Sequence, residues 1–131
     1  MTRGRTAVAL ALASALLVVG VGLLASSASA GGTTTIGVRN GASERSFSLT
    51  RSKVPPGPAI IQYTNTGEDP HDLNVRRKGG DVVWEIGELG PNEVGSISER
   101  LKKDSKYILW CSLDGHRESG MEAVLRVRKR N

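Results

Sequence analysis

Beyond its first 30 residues this chain has one cysteine, two histidines and one methionine, and these four hold most of its capacity for metal or redox chemistry. Three of them share one short segment, CSLDGHRESGM, in which Cys111, His116 and Met121 follow a C-x4-H-x4-M spacing. His71 stands well upstream, after Pro70. A single cysteine closes no internal disulfide, so in an exported chain Cys111 is a partner for another chain, a reactive thiol or a metal ligand. Each residue alone has an ordinary reading: a buried cysteine behaves as a small hydrophobe, a methionine fills core gaps and a histidine often sits at the surface. Together they read differently.

Two imidazoles and a thiolate with a weak thioether make up the donor set of a single copper ion that exchanges electrons. Thiolate and thioether are soft and favour Cu(I), whereas imidazole accepts either oxidation state, so a compromise geometry needs little rearrangement when an electron moves. The expected site is therefore one type 1 copper held by His71, Cys111, His116 and Met121. Zinc competes for the same thiolate and imidazoles. Glu68, Asp69, Glu85 and Glu88 form no defensible carboxylate pair, and no general acid or base is assigned. Trp110, directly before Cys111, is read as sheet packing, with an electron stepping stone as the alternative; Trp84 is read as packing too.

The elements that must position these donors are strands. After residue 34 the chain breaks into short β-type runs separated by Gly, Pro, Asn and Asp, with no helical periodicity. Strands are expected over 35–39, 46–50, 59–65, 71–76, 81–86, 94–101, 106–111 and 121–128. Turns are marked by Pro55-Pro56-Gly57-Pro58, Gly79-Gly80, Gly90-Pro91-Asn92 and the 102–105 segment. Seven or eight strands at that spacing predict an all-β two-sheet sandwich. Alternation then sorts the side chains, since successive residues face opposite sides of a sheet. His71 goes with Leu73 and Val75, Cys111 with Tyr107 and Leu109, and Met121 with Ala123, Leu125 and Val127. Asp72 and Asn74 look away from that face. His116 lies in the loop and reaches the same point from the surface end.

The segment YILWCSLDGHRESGMEAVLRV resembles the copper-binding hairpin of the cupredoxin family, the plastocyanin and azurin group. Upstream, VPPGPAIIQYTNTGEDPHDLNV is similar to the strand and loop that deliver the family's first histidine, and IGELGPNEVGSISERL to its strand, Gly-Pro turn and strand. The resemblance runs from about residue 54 to 127. It implies a Greek-key β-sandwich with copper at one end, His71 and His116 as equatorial nitrogens, Cys111 as the short thiolate bond and Met121 as the long axial contact. It also implies that the edge of His116 is the electron's exit. One departure matters: Asp72 follows His71 where the family has an asparagine. Asp72 is expected to accept from the backbone or hydroxyl of Ser112, restraining the ligand loop from behind the ligands.

The first 30 residues read as export machinery: Arg3 and Arg5, an apolar run from Ala7 to Ala25, and Ala28-Ser29-Ala30 as a cleavage site. The run is long enough that an uncleaved membrane anchor is the alternative. Residues 31–131 then form one domain, of a size that single domains favour. Leaving out Arg3 and Arg5 gives 16 basic against 13 acidic residues, a net charge of +3, which does not suggest nucleic-acid binding. The basic clusters Arg76-Arg77-Lys78 and 126–130 are read as a solvated face, with an acidic partner or an anionic envelope as the alternative.

These readings converge on an exported monomer, in the periplasm, cell envelope or extracellular space, that carries single electrons between redox proteins. It would contact a membrane only through an uncleaved leader. With two histidines the chain cannot build the further copper centre of a multicopper oxidase, so no enzyme activity is expected. The alternatives are a protein that stores or delivers copper, and a metal-free structural β-domain.

Overall fold

The computed structural model describes residues 31–128. The leader expected over 1–30 and the last part of the basic terminus lie outside the described residues. Nine strands form: β1 (Thr34–Asn40), β2 (Phe47–Leu49), β3 (Lys53–Val54), β4 (Gly57–Thr64), β5 (His71–Arg77), β6 (Val83–Leu89), β7 (Val94–Leu101), β8 (Ser105–Trp110) and β9 (Glu122–Val127). They make a four-stranded sheet, β2-β1-β4-β7, and a five-stranded sheet, β3-β9-β8-β5-β6. Both sheets are mixed, because β1 runs parallel to β4 and β3 parallel to β9. The chain passes from one sheet to the other several times, the Greek-key sandwich the sequence predicts.

Period-two alternation builds the core. Ile36, Val38, Ile61 and Tyr63 point inward from the first sheet, and Leu73, Val75, Tyr107, Leu109, Leu125 and Val127 from the second, all essentially without solvent contact. Cross-strand registry pairs Tyr107 with Leu125 and Val75 with Leu109, so inward positions meet inward positions. Phe47 packs edge-on against Tyr63 at 5.4 Å, and Trp84 stacks on Tyr107 at 5.3 Å, which gives Trp84 the packing role expected of it. Burial raises the Tyr63 hydroxyl pKa, and that hydroxyl donates to Asn40 Oδ1 at 3.1 Å.

Several details depart from expectation, among them the start of β4 at Gly57, inside the stretch expected as a turn. β3 is additional: two residues are too few for a sequence pattern, and it exists because the backbone N–H groups of Arg126 and Arg128 bond Ser52 and Val54 at 2.8 and 3.0 Å. β6 begins later and ends later than 81–86. Gly79, at φ +78°, and the Gly80 N–H on the Arg77 carbonyl keep the preceding residues in the turn, and the strand then runs on until Leu89 lies opposite His71. Asn74 does sit on the outer face, yet it is buried, because Trp110 lies across from it in registry and the guanidiniums of Arg76 and Arg117 lie over that indole.

Candidate metal centre

His71 opens β5, Cys111 follows the last residue of β8 and Met121 precedes the first of β9, so adjacent strands of one sheet deliver three donors at the same end. The loop between β8 and β9 supplies the fourth. Its closure is local: Cys111 N–H bonds the Met121 carbonyl at 3.2 Å, Met121 N–H the His116 carbonyl at 3.0 Å, and His116 N–H the Leu113 carbonyl at 3.0 Å. Gly115 at φ +74° and Gly120 at φ +104° allow so tight a path, since other residues resist that backbone region. His71, Cys111 and Met121 have 0% exposure and His116 has 8%, which makes His116 the donor nearest the outside.

The donor atoms converge. Nδ1 of His71 lies 3.0 Å from Nδ1 of His116, and the Cys111 sulfur lies 4.0 and 3.4 Å from those two nitrogens. With metal bonds of about 2.0 Å to imidazole and about 2.3 Å to thiolate, one ion reaches nitrogens up to about 4 Å apart and a nitrogen and sulfur up to about 4.3 Å apart. All three separations fall inside those limits, so the set fits one transition-metal ion. The protonation pattern agrees. Two ring nitrogens of the same type and a sulfur crowd one another, an arrangement satisfied by a proton shared among them or by a cation held between them. Burial pushes the Cys111 thiol up and the His116 imidazolium down. A buried site thus resists carrying charge until a metal displaces the thiol proton.

The sequence pattern gave no sign of Glu44. It comes from the loop between β1 and β2, and its Oε1 accepts from His71 Nε2 at 2.8 Å and from the backbone N–H groups of Glu68 and Asp69 at 3.0 Å each. Those bonds hold its carboxyl below the usual range, the Asp69 N–H first and the His71 ring next. An ionised Glu44 requires the proton of His71 on Nε2, which leaves the Nδ1 lone pair aimed at the thiol. Carboxylates fix the tautomer of metal-binding histidines in this way. Gly67 makes room: a Cβ there would overlap the Glu44 carboxylate. Asn65, fully buried, steadies the same loop by donating to the Asp69 and Leu89 carbonyls at 2.8 and 2.9 Å. No spacing rule links residue 44 to residue 71; only the folded sandwich brings them together.

Asp72, on the other side of β5, accepts from the Ser112 N–H at 2.6 Å and from the Ser112 hydroxyl. This ties the strand of one donor to the residue after another. Beside His116, Arg117 pairs with Glu122 at 2.7 Å and its guanidinium lies 4.8 Å from the Trp110 ring centre.

No family model and no curated protein matches this sequence. Solved structures do match in fold. Auracyanin A, described as a "blue" copper protein from the green thermophilic photosynthetic bacterium Chloroflexus aurantiacus, superposes with a TM-score of 0.60 at 18% identity, over 73% of this chain and 99% of that one. Dithionite-reduced auracyanin from Roseiflexus castenholzii gives 0.60 at 17%, over 74% and 98%. The McoA multicopper oxidase of Aquifex aeolicus gives 0.53 at 15%, over 76% of this chain but 30% of the oxidase. The fold is thus that of the blue copper cupredoxins. The last match overturns one expectation, that the chain is no enzyme because it has too few histidines: a domain of this fold forms part of an oxidase.

Proposed function

We propose that this chain is an exported single-copper protein that accepts and donates one electron, with His71, Cys111 and His116 as its main ligands and Met121 as the weak fourth. The observation that carries the reading is the convergence of two Nδ1 atoms and one thiol in a buried cluster at the end of the sandwich. Bound there, copper would supply the Cu(I)/Cu(II) couple. The protein's part is to keep that couple dry and rigid. β5, β8 and β9 fix three donors on hydrogen-bonded strands, Glu44 holds the His71 ring in one tautomer, and Asp72 restrains the segment after Cys111. His116, the least buried donor, is the proposed electron exit toward redox partners, one that gives and one that accepts electrons. Residues 1–30 are the proposed export leader of the single domain over 31–131.

Copper titration with optical and electrochemical readout tests this. One equivalent of Cu(II) should produce an intense blue thiolate charge-transfer band that bleaches on reduction and returns on oxidation. A copper-loaded protein that is colourless and redox-silent would replace the carrier with storage or delivery of copper, and failure to bind copper would leave a structural β-domain.

A further inference from the structure

Residues of the two basic clusters of the sequence come together on the outer face of the five-stranded sheet. Lys53 of β3 stands opposite Arg126 of β9, and Arg126 stands opposite Lys106 of β8. The Lys78 N–H bonds the Lys106 carbonyl at 2.8 Å, which carries the same rung onto the end of β5. Val54, Tyr107 and Val127 beside them point into the core, so all four cations point outward, and all four are exposed. Neighbouring strands are about 4.8 Å apart, which places four positive charges in a line roughly 14 Å long.

Like charges directly opposite one another destabilise a sheet. Elsewhere this fold pairs charges, as with Arg117 and Glu122 or Lys103 and Asp104, yet none of the ion pairs among the described residues involves the four. Arg76 and Arg128 extend the patch on the same face, and the exposed Val83 lies beside Arg76 in registry, with Val82 next to it. A row of unneutralised cations edged by exposed valines complements a surface that is anionic and soft.

Its position in the fold selects among anionic partners. The row lies at the Ser105 end of β8, five residues and roughly 17 Å of strand from Cys111, so a surface that meets the row at that end leaves the donors at the opposite end. The chain enters the fold at that same end: Thr34 pairs with Ala59, Gly57 pairs with Leu101, and Leu101 leads through a short turn into Ser105. While the leader is attached, the apolar run from Ala7 to Ala25 lies upstream of Thr34, and the eight residues between Ala25 and Thr34 span at most about 29 Å when extended; once it is cleaved, the row alone meets the surface.

We propose that the Lys53–Arg126–Lys106–Lys78 row docks the domain on an anionic phospholipid surface, with the candidate metal centre turned away from it toward soluble partners. The proposal does not depend on copper binding, and its test is made on metal-free and copper-loaded protein alike.

Sedimentation with vesicles tests it, using the full chain and a chain beginning at Gly31, which retains both described sheets and the core between them. Each is mixed with vesicles of phosphatidylcholine alone and with vesicles containing about one-third phosphatidylglycerol. Each basic residue near such a surface strengthens binding about fivefold, so the Gly31 chain should favour the anionic vesicles at least tenfold in low salt and lose the preference in high salt. Arg126→Glu should weaken that binding about tenfold or more. The same change sets opposite charges across Lys53 and Lys106, so its melting temperature should not fall, and a loss of binding cannot be put down to unfolding. Lys53→Gln/Lys106→Gln should give a similar loss without adding a negative charge. The full chain shows what the apolar leader adds. Equal binding of the Gly31 chain to both vesicle types, or an undiminished preference in both variants of that chain, overturns the proposal. So does a chain that ignores vesicle charge but is retained on immobilised poly-glutamate, which would make the partner an acidic protein.

Discussion

The two ends of the five-stranded sheet use the same three strands for opposite purposes. At one end β5, β8 and β9, with the residues directly flanking them, turn His71, the thiol of Cys111 and Met121 inward, into full burial; at the other they carry Lys78, just past β5, and Lys106 and Arg126 outward into water. The inward end needs company for every polar atom, because a buried polar group without a partner is costly. Glu44, Asp72 and Asn65 supply much of it from loops and from the far face of β5. The outward end has no such support among the described residues, because water screens its charges. Burial thus forces a network of positions far apart in sequence, whereas exposure lets a charge stand alone.

The comparison breaks most sharply at Cys111. Cys111→Ser should abolish the blue band of copper-loaded protein altogether, read in a single optical spectrum, while circular dichroism stays that of the folded sandwich. Retention of an intense band would remove the thiolate from the site. Leu109 is next in size of effect. It is fully buried on β8 between the two ends, and Leu109→Ala should cost about 2–5 kcal/mol in denaturant unfolding. Since β8 supports both ends, the loss should fall on the whole domain as one transition. Separate transitions for the metal end and the basic end would mean that they are energetically independent.

How much of this was legible in the sequence follows the same division. Alternation along β5, β8 and β9 put His71, Cys111 and Met121 on the core side, because a strand's inward face depends only on position parity. The bond between Asp72 and Ser112 was legible only through the resemblance to the cupredoxin hairpin, where the residue after the first histidine ties its segment to the cysteine loop. Glu44 and Asn65 were legible by neither route. Their roles depend on where two loops fall after the sheets have packed, and neither periodicity nor spacing encodes that. β3 was hidden for another reason: two residues carry no pattern, and their pairing is decided by β9. The basic clusters were visible as composition, but only the β3–β9–β8 registry and the Lys78–Lys106 backbone bond put Arg126 and Lys78 in one line with Lys53 and Lys106.

Glu44 gives a finer test of the inward network. Glu44→Gln keeps an oxygen acceptor for His71 Nε2 but removes the negative charge, so copper should still bind and the His71 tautomer should persist. The reduction potential should rise, because an anion near the site favours the more highly charged oxidised state. Voltammetry on the two proteins reads this directly. An unchanged potential would mean that Glu44 acts on the site through its hydrogen bonds alone.

The smallest effect is expected at the outward end, and its sign is the informative part. Lys106 faces Arg126 on one side and meets Lys78 across the other, all exposed. Lys106→Glu replaces two repulsions with two attractions, each worth about 0.2–1 kcal/mol in a sheet, less whatever solvent screening removes. The metal-free domain should therefore gain a few tenths to about 1 kcal/mol in low-salt urea unfolding, with the gain shrinking as salt is added. A sequence maintained for stability alone would have little reason to leave that gain unused. If Lys106→Glu instead destabilises the fold at every salt concentration, the lysine stems are packing against the sheet, and the row is part of the structure rather than a surface held open for a partner.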